Sequence, residues 1–152
     1  MIDTLLFDLG GTLVEYYDRS QYDTVLGEAL AEARVFLDEK GRLNVSQESM
    51  WQRAQEENYE AEDHRVRPLG ERLRRIFQLD GSIEHEAEMD MCRRFLRPVF
   101  ARGCCYEDTI STLEQLKARG FRMAIVTNTP WGAPAAPWRE EIERLGPGNH
   151  VE

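Results

Sequence analysis

Apolar residues follow two rhythms along this chain. Thr4-Leu5-Leu6-Phe7 with Leu9, and Met123-Ala124-Ile125-Val126, are short continuous runs that suit buried parallel strands. Between them apolar positions recur at helical spacing. Tyr22, Val25, Leu26, Ala29, Leu30, Ala33, Phe36 and Leu37 predict a first helix, opened by Ser20 with Asp23 and closed by Gly41. Ser46 can cap a second through Met50, Trp51, Ala54 and Tyr59. Pro68-Leu69-Gly70 breaks the pattern, and Leu73, Ile76, Phe77 and Leu79 make a short third helix. Asp80-Gly81 reads as a turn, and Ser82 caps a fourth helix through Ile83, Ala87, Cys92, Phe95 and Leu96 that stops near Pro98. Four such helices in a row predict a small antiparallel bundle. After a return linker at Phe100 to Gly103, a helix over Asp108–Lys117 leads to a strand over Phe121–Thr127. A loop at Trp131-Gly132-Ala133-Pro134 precedes a last helix over Ala135–Leu145.

Both apolar runs end in polar groups. The first meets Asp8, then Gly10-Gly11-Thr12; the second meets Thr127-Asn128. Successive glycines let backbone N–H groups converge on an anion, and open α/β sheets place ligands at the carboxyl ends of their strands. A carboxylate beside an anion cradle implies either a bridging metal or direct attack by the carboxylate. The alternative is a hairpin, since Gly10-Gly11 also suits a two-residue primed turn between Leu5–Leu9 and Thr12–Tyr16.

Phe7-Asp8-Leu9-Gly10-Gly11-Thr12-Leu13 resembles the first motif of the haloacid dehalogenase (HAD) superfamily of hydrolases, an apolar strand followed by Asp-x-Asp-Gly-Thr. Val126-Thr127-Asn128 resembles its second motif. The helical stretch between them matches the cap of the subgroup whose cap follows the first motif, and Tyr106-Glu107-Asp108-Thr109, Leu113, Leu116, Lys117 and Gly120 are typical of that subgroup's approach to the second motif. The resemblance implies an α/β fold: a partial Rossmann-like parallel sheet from residues 1–16 and 101–152, with a helical bundle cap from 17–100. It implies Asp8 as the nucleophile and Mg²⁺ held by Asp8 and the backbone carbonyl of Gly10. Thr127 would bond a phosphoryl oxygen, the amides around Gly11 and Thr12 would cradle it, and Asn128 would be a secondary contact.

Composition narrows the partners. The 152 residues are 41% hydrophobic and 31% charged, which argues against wholesale disorder. A net charge of −9 repels nucleic acid, while small phosphate esters remain possible if a metal and local backbone dipoles offset the field; a small phosphorylated substrate is what the resemblance implies. No apolar run approaches the ~18 residues of a membrane span, and the chain opens on a strand without a signal-peptide pattern. The expected location is therefore cytoplasmic. Cys92, Cys104 and Cys105 lack metal-ligand spacing and read as reduced, packed thiols. His64, His85 and His150 read as surface residues. Arg72, Arg74 and Arg75 could reach an anionic substrate, but pairing with Glu56-Glu57 and Glu84 to Glu88 is the expectation.

Three departures from the resembled pattern bear on activity. Gly10 stands where phosphatases of the family carry an Asp that protonates the leaving group, and losing a general acid costs ~10²–10⁴ in rate. Glu15 or a residue of the helical stretch could substitute, although nothing in the sequence selects one. The family's later Lys, and then a carboxylate pair, would lie beyond Glu152; Lys117 precedes the second motif and is a poor stand-in. With only two core strands countable, both sheet edges would be open, so the expectation is a C-terminally truncated fragment, a split product, or a protomer in a homo-oligomer or with a strand-donating partner. Three readings follow: a phosphatase-type hydrolase using Asp8 and Mg²⁺, a non-catalytic remnant or association module, and a 2-haloacid dehalogenase. The last is favoured by Gly10, because a halide leaves without a proton.

Overall fold

The computed structural model describes residues 2–58, 65–79 and 83–151. Tyr59 and His64, and the Asp80-Gly81 turn with its Ser82 cap, lie outside the described residues. The chain forms, in order, β1 (Thr4–Phe7), β2 (Val14–Glu15), α1 (Tyr22–Glu39), α2 (Gln47–Glu57), α3 (Leu69–Ile76), α4 (His85–Phe100), β3 (Cys104–Cys105), α5 (Thr109–Ala118), β4 (Arg122–Ile125) and α6 (Ala135–Leu145). It is a mixed α/β fold with a small parallel sheet and a long helical insertion.

β1 pairs with β4 in parallel, with Thr4 opposite Arg122 and Phe7 opposite Ile125. This overturns the hairpin alternative. β2 instead pairs antiparallel with β3, Val14 opposite Cys105, a contact too short for apolar patterning to announce. Among the described residues the β1–β4 sheet has two strands, so each keeps an unpaired outer edge.

The chain divides into two compact units. The first comprises residues 1–25, 98–128 and 135–152, and the second 26–97 with 129–134. In the first, Leu9, Leu13, Val14, Leu113, Met123 and Trp138 are buried. Alternation along the strands sends Leu5 and Phe7 to the same side as Met123 and Ile125. The opposite face stays open, with Leu6 68% exposed and Val126, just past β4, 62% exposed.

In the second unit, Leu30, Leu37, Leu69, Leu73, Ile76, Phe77, Met91 and Leu96 are buried. α2 and α3 are further joined by Glu57. Its carboxylate receives Arg75 at 2.7 and 3.2 Å and Arg67 at 3.2 Å, while its carbonyl accepts from Arg72 at 3.2 Å. Arg74 pairs with Glu88 at 3.2 Å. Arg74 and Arg75 thus meet carboxylates expected from the sequence, whereas the bond from Arg72 is to the backbone carbonyl of Glu57.

Helix ends follow local chemistry with two corrections. Ser46 caps α2 by accepting the Ser49 N–H at 3.1 Å, as expected. α1 is entered differently: Asp18, not Ser20, begins the turn, with the Gln21 side chain accepting the Asp18 N–H at 3.0 Å and Arg19–Gln21 forming a 3₁₀ turn. α4 runs through Pro98 to Phe100 instead of stopping there. Proline so near a helix end removes one bond rather than a ladder of them, and Arg102 then donates to the Pro98 carbonyl at 2.8 Å.

Candidate functional site

The parallel register sets the two polar strand tips side by side. The Arg122 N–H donates to the Asp3 carbonyl at 2.9 Å and the Val126 N–H to the Phe7 carbonyl at 2.8 Å. Asp8 directly follows that last bond on one strand, and Thr127 on the other. Asp8 is exposed, and its carboxylate has no hydrogen bond or ion pair among the described residues. Thr127 is half-buried, and among the described residues its hydroxyl meets only the Asn128 carbonyl, at a long 3.5 Å. Both side chains keep their polar capacity for something else. Asn128 is exposed.

The loop after Asp8 is tightly wound. The Leu9 carbonyl accepts the N–H groups of Thr12 at 3.3 Å, Leu13 at 2.9 Å and Val14 at 3.0 Å, and the Gly11 N–H donates to the Val14 carbonyl at 2.9 Å. Gly11 has φ of 77°, a left-handed conformation that only glycine adopts freely, with nothing within 4 Å of a notional Cβ. Conformation, not space, requires glycine there. The Gly11 and Thr12 amides are therefore engaged inside the turn, and the exposed Thr12 side chain is what the loop turns toward solvent.

Two contacts fasten this loop from far along the chain. The buried Thr109 hydroxyl donates to the Leu13 carbonyl at 2.8 Å, and the Tyr106 N–H reaches the same oxygen at 3.3 Å. Sequence reading placed Thr109 only at a helix start; no spacing indicates that its hydroxyl turns back 96 residues.

Beneath Gly10 lies Tyr16, whose ring edge would meet a Cβ at position 10 at 3.9 Å. Tyr16 packs edge-on against Trp138 with centroids 5.6 Å apart, and Trp138 does the same with Phe100 at 5.0 Å. Burial, then the neighbouring Glu141 carboxylate, push the Tyr16 phenol well above its usual range, so it stays neutral. Glu141 is itself buried and takes two bonds from Arg144, each 2.7 Å. The Tyr16 hydroxyl is enclosed, so this residue forms a floor for the loop and offers no proton at the surface.

Mg²⁺ is commonly held by one or two carboxylates together with waters and substrate phosphate. The Asp8 carboxylate, unpaired among the described residues, and the Gly10 carbonyl, which accepts no backbone bond among them, are hard oxygens of that kind. Among the described residues no three His, Cys, Asp or Glu side chains gather to bind a metal without substrate. Lys117 sits in the last turn of α5 and donates to the Asn149 carbonyl at 3.3 Å, away from any role at the strand tips. Glu15 lies on β2 and is exposed. The cysteines form no disulfide, and Cys104 and Cys105 alternate along β3, so their sulfurs do not converge. His85 is exposed and His150 half-exposed.

With this geometry in view, the comparisons with known proteins are informative. The family model for haloacid dehalogenase-like hydrolases matches residues 2–146. The chain belongs to this family. Among solved structures, a predicted phosphoglycolate phosphatase from Haemophilus somnus is similar at 20% identity and a TM-score of 0.43, over 99% of this chain and 60% of that one. A haloacid dehalogenase-like family protein from Streptococcus pneumoniae is similar at 15% identity and a TM-score of 0.44, over 99% of this chain and 59% of that one. A predicted phosphatase from Clostridium acetobutylicum is similar at 13% identity and a TM-score of 0.44, over 100% and 59%. The chain thus spans about three fifths of the length of these structures. No curated protein sequence is detectably similar to it. Among the described residues no helix is long and apolar enough to cross a membrane.

Proposed function

We propose that this HAD-like hydrolase is phosphatase-type, cleaving a small phosphate ester through an aspartyl-phosphate on Asp8. The observation that supports this most directly is the exposed, unpaired Asp8 carboxylate beside the Thr127 strand tip. An Asp8 oxygen attacks phosphorus, the ester P–O bond breaks with its electron pair leaving on the alcohol oxygen, and water later hydrolyses the acyl phosphate to restore Asp8. Thr127 and Thr12 donate hydroxyl hydrogen bonds to the phosphoryl oxygens, with Gly11 shaping the loop and Asn128 a secondary contact. Mg²⁺, with Asp8 and Gly10 as protein ligands, supplies charge neutralisation between two anions when bound. The leaving alkoxide draws its proton from solvent, since position 10 carries no acid; good leaving groups are therefore favoured. Residues 1–16 and 101–152 make up the reacting core in this reading, with 17–100 selecting the substrate. A cytoplasmic setting suits a phosphorylated metabolite and three reduced thiols.

The open sheet favours a second reading, an association module. Leu6 and Val126 are exposed beside unpaired strand edges, a surface suited to a second copy or to a strand-donating partner. One assay separates the readings: hydrolysis of an aryl phosphate by the purified chain with and without Mg²⁺, beside Asp8→Asn. Metal-dependent turnover lost in the variant supports catalysis, and equal background in both proteins refutes it. Light scattering on the same samples decides association, and a monomer at micromolar concentration counts against the module.

A further inference from the structure

The second compact unit, the helical one, holds a cavity of about 250 Å³ between the end of α1 and the start of α4. Its walls are apolar: Phe36 and Leu37 from α1, Ala87 and Met91 from α4, and Ile83 just before α4. Phe36, Leu37 and Met91 are buried, whereas Ile83 and Ala87 are half-buried. Charge enters the lining only from Lys40, Arg42 and Glu84, all exposed. The end of α1 is closed by its own backbone. The Gly41 N–H donates to the Asp38 carbonyl and the Arg42 N–H to the Leu37 carbonyl, both at 2.9 Å, with Gly41 at φ of 63°. This turn fixes where the chain places Lys40 and Arg42. It also satisfies carbonyls that cations near a helix C-terminus would otherwise bond. The Lys40 ammonium stands 5.7 Å from the centroid of the Phe36 ring, and Glu39 beside it is taken by Arg94 at 3.3 Å. Among the described residues neither Lys40 nor Arg42 has a carboxylate partner.

An apolar recess edged by two unpaired cations and one acid selects a ligand by two features at once. The body must be apolar, because seating it against Phe36, Ile83 and Met91 removes apolar surface from water. The head must be anionic, because the cations outnumber Glu84, and the guanidinium fork of Arg42 matches a carboxylate. Size limits the body. Sites for drug-sized ligands measure ~300–1,000 Å³, so this one takes a single ring or a chain of a few carbons. We propose that the cavity binds a small apolar monocarboxylate, its ring or short chain entering between α1 and α4 and its carboxylate meeting Lys40 and Arg42. The binding lies within the helical unit and is independent of the reaction assigned to Asp8.

Titration of the intact chain with phenylacetate tests it, read by NMR at labelled methionine methyl groups. Met91 lines the cavity and reports; Met50, buried in α2 and not in the lining, is the control. The Met91 signal shifts and saturates with a Kd of about 0.1–1 mM, in keeping with so few ligand atoms, while Met50 stays still. Phenylacetamide has the body without the charge and acetate the charge without the body, and each binds at least about tenfold more weakly. Lys40→Gln and Arg42→Gln each weaken phenylacetate by about three- to fivefold, and Glu84→Gln strengthens it by about twofold. Ala87→Leu fills the recess and abolishes the Met91 shift; should that variant not fold, the three exposed substitutions still decide. Equal affinity for phenylacetate and phenylacetamide overturns the proposal, as does binding unchanged in both Lys40→Gln and Arg42→Gln. A Met91 signal that does not move at millimolar phenylacetate overturns it outright. The titration reads the same whether or not the chain hydrolyses phosphate esters, so its failure and that of the proposed reaction are separate results.

Discussion

Placing the acid that this chain lacks at position 10 tests the proposed chemistry most sharply. Gly10 is not held in a left-handed conformation, and a Cβ there meets only the Tyr16 ring edge at 3.9 Å, an ordinary contact. Gly10→Asp therefore introduces no backbone strain, and the lower entropy of the unfolded chain stabilises it by about 0.4–1 kcal/mol. The new carboxyl stands two residues from Asp8, near enough along the chain to serve as a proton donor to the leaving alkoxide in the proposed reaction. A positioned general acid contributes ~10²–10⁴ in rate, or about 3–5 kcal/mol of barrier. That gain is confined to leaving groups needing a proton. Turnover of a simple alkyl phosphate should rise by about a hundredfold or more, while that of p-nitrophenyl phosphate should change by less than about threefold, since its phenolate departs unaided. Phosphate release measured for both esters gives the ratio directly, and a thermal melt confirms the fold. An alkyl-to-aryl ratio unchanged in Gly10→Asp, with the melt intact, refutes the argument that the missing acid limits this site.

Two further outcomes follow from the packing. Glu57→Gln removes the buried carboxylate that Arg67 and Arg75 share, although Glu71 stays 3.9 Å from Arg75; breaking a fully buried pair costs about 3–5 kcal/mol, but Arg75 is nearly half exposed, so a loss of about 2 kcal/mol is expected by urea unfolding. A loss under about 0.5 kcal/mol, the range of an ordinary surface substitution, would show that Glu57 does not join α2 to α3. Burial, with Glu88 adding, pushes the Cys92 thiol from 9.0 up to about 12. The unfolded chain then releases this proton first, so stability is kept below pH 9 and falls as pH rises from 9 toward 12, by roughly 1 kcal/mol at pH 10. Cys92→Ala should flatten that slope in urea melts at pH 8 and 10, and an identical slope would contradict it. The Tyr16 and Tyr17 phenols, also raised by burial, extend the decline above pH 10.

What was legible in the sequence was what a few neighbouring residues decide. An apolar run ending in Asp8-Leu9-Gly10-Gly11 marks a strand tip because strand, carboxylate and glycine turn each follow from adjacent side chains. The same holds for Ser46 at its helix and for α6, whose bounds at Ala135 and Leu145 match expectation. The corrections arise where a competitor lies close by. Asp18 and Ser20 are both good openers, and Gln21, placed to bond the Asp18 N–H, decides for the first. Pro98 forbids one bond, yet the amides of Arg102 and Gly103 close the helix end beyond it at 3.1 Å each.

The parts of the site that escaped reading depend on groups distant in the chain. The Leu13 carbonyl is held from Thr109, and the Gly10 loop rests on a ring whose place is set by Trp138 and Phe100. Outside the site, Trp131 is the plainest case, a left-handed residue with φ of 55°. Beside Gly132 and two prolines it reads as an ordinary loop residue, because sequence spacing carries no trace of a left-handed backbone. Its conformation requires Phe95 on one side and Arg72 on the other, 36 and 59 positions earlier in the numbering. The chemical groups of this site are thus written locally, while what holds them in place is contributed from across the chain. A change at Thr109 should therefore disturb the loop after Asp8 as surely as a change in the motif, although Thr109 bears no chemistry of its own.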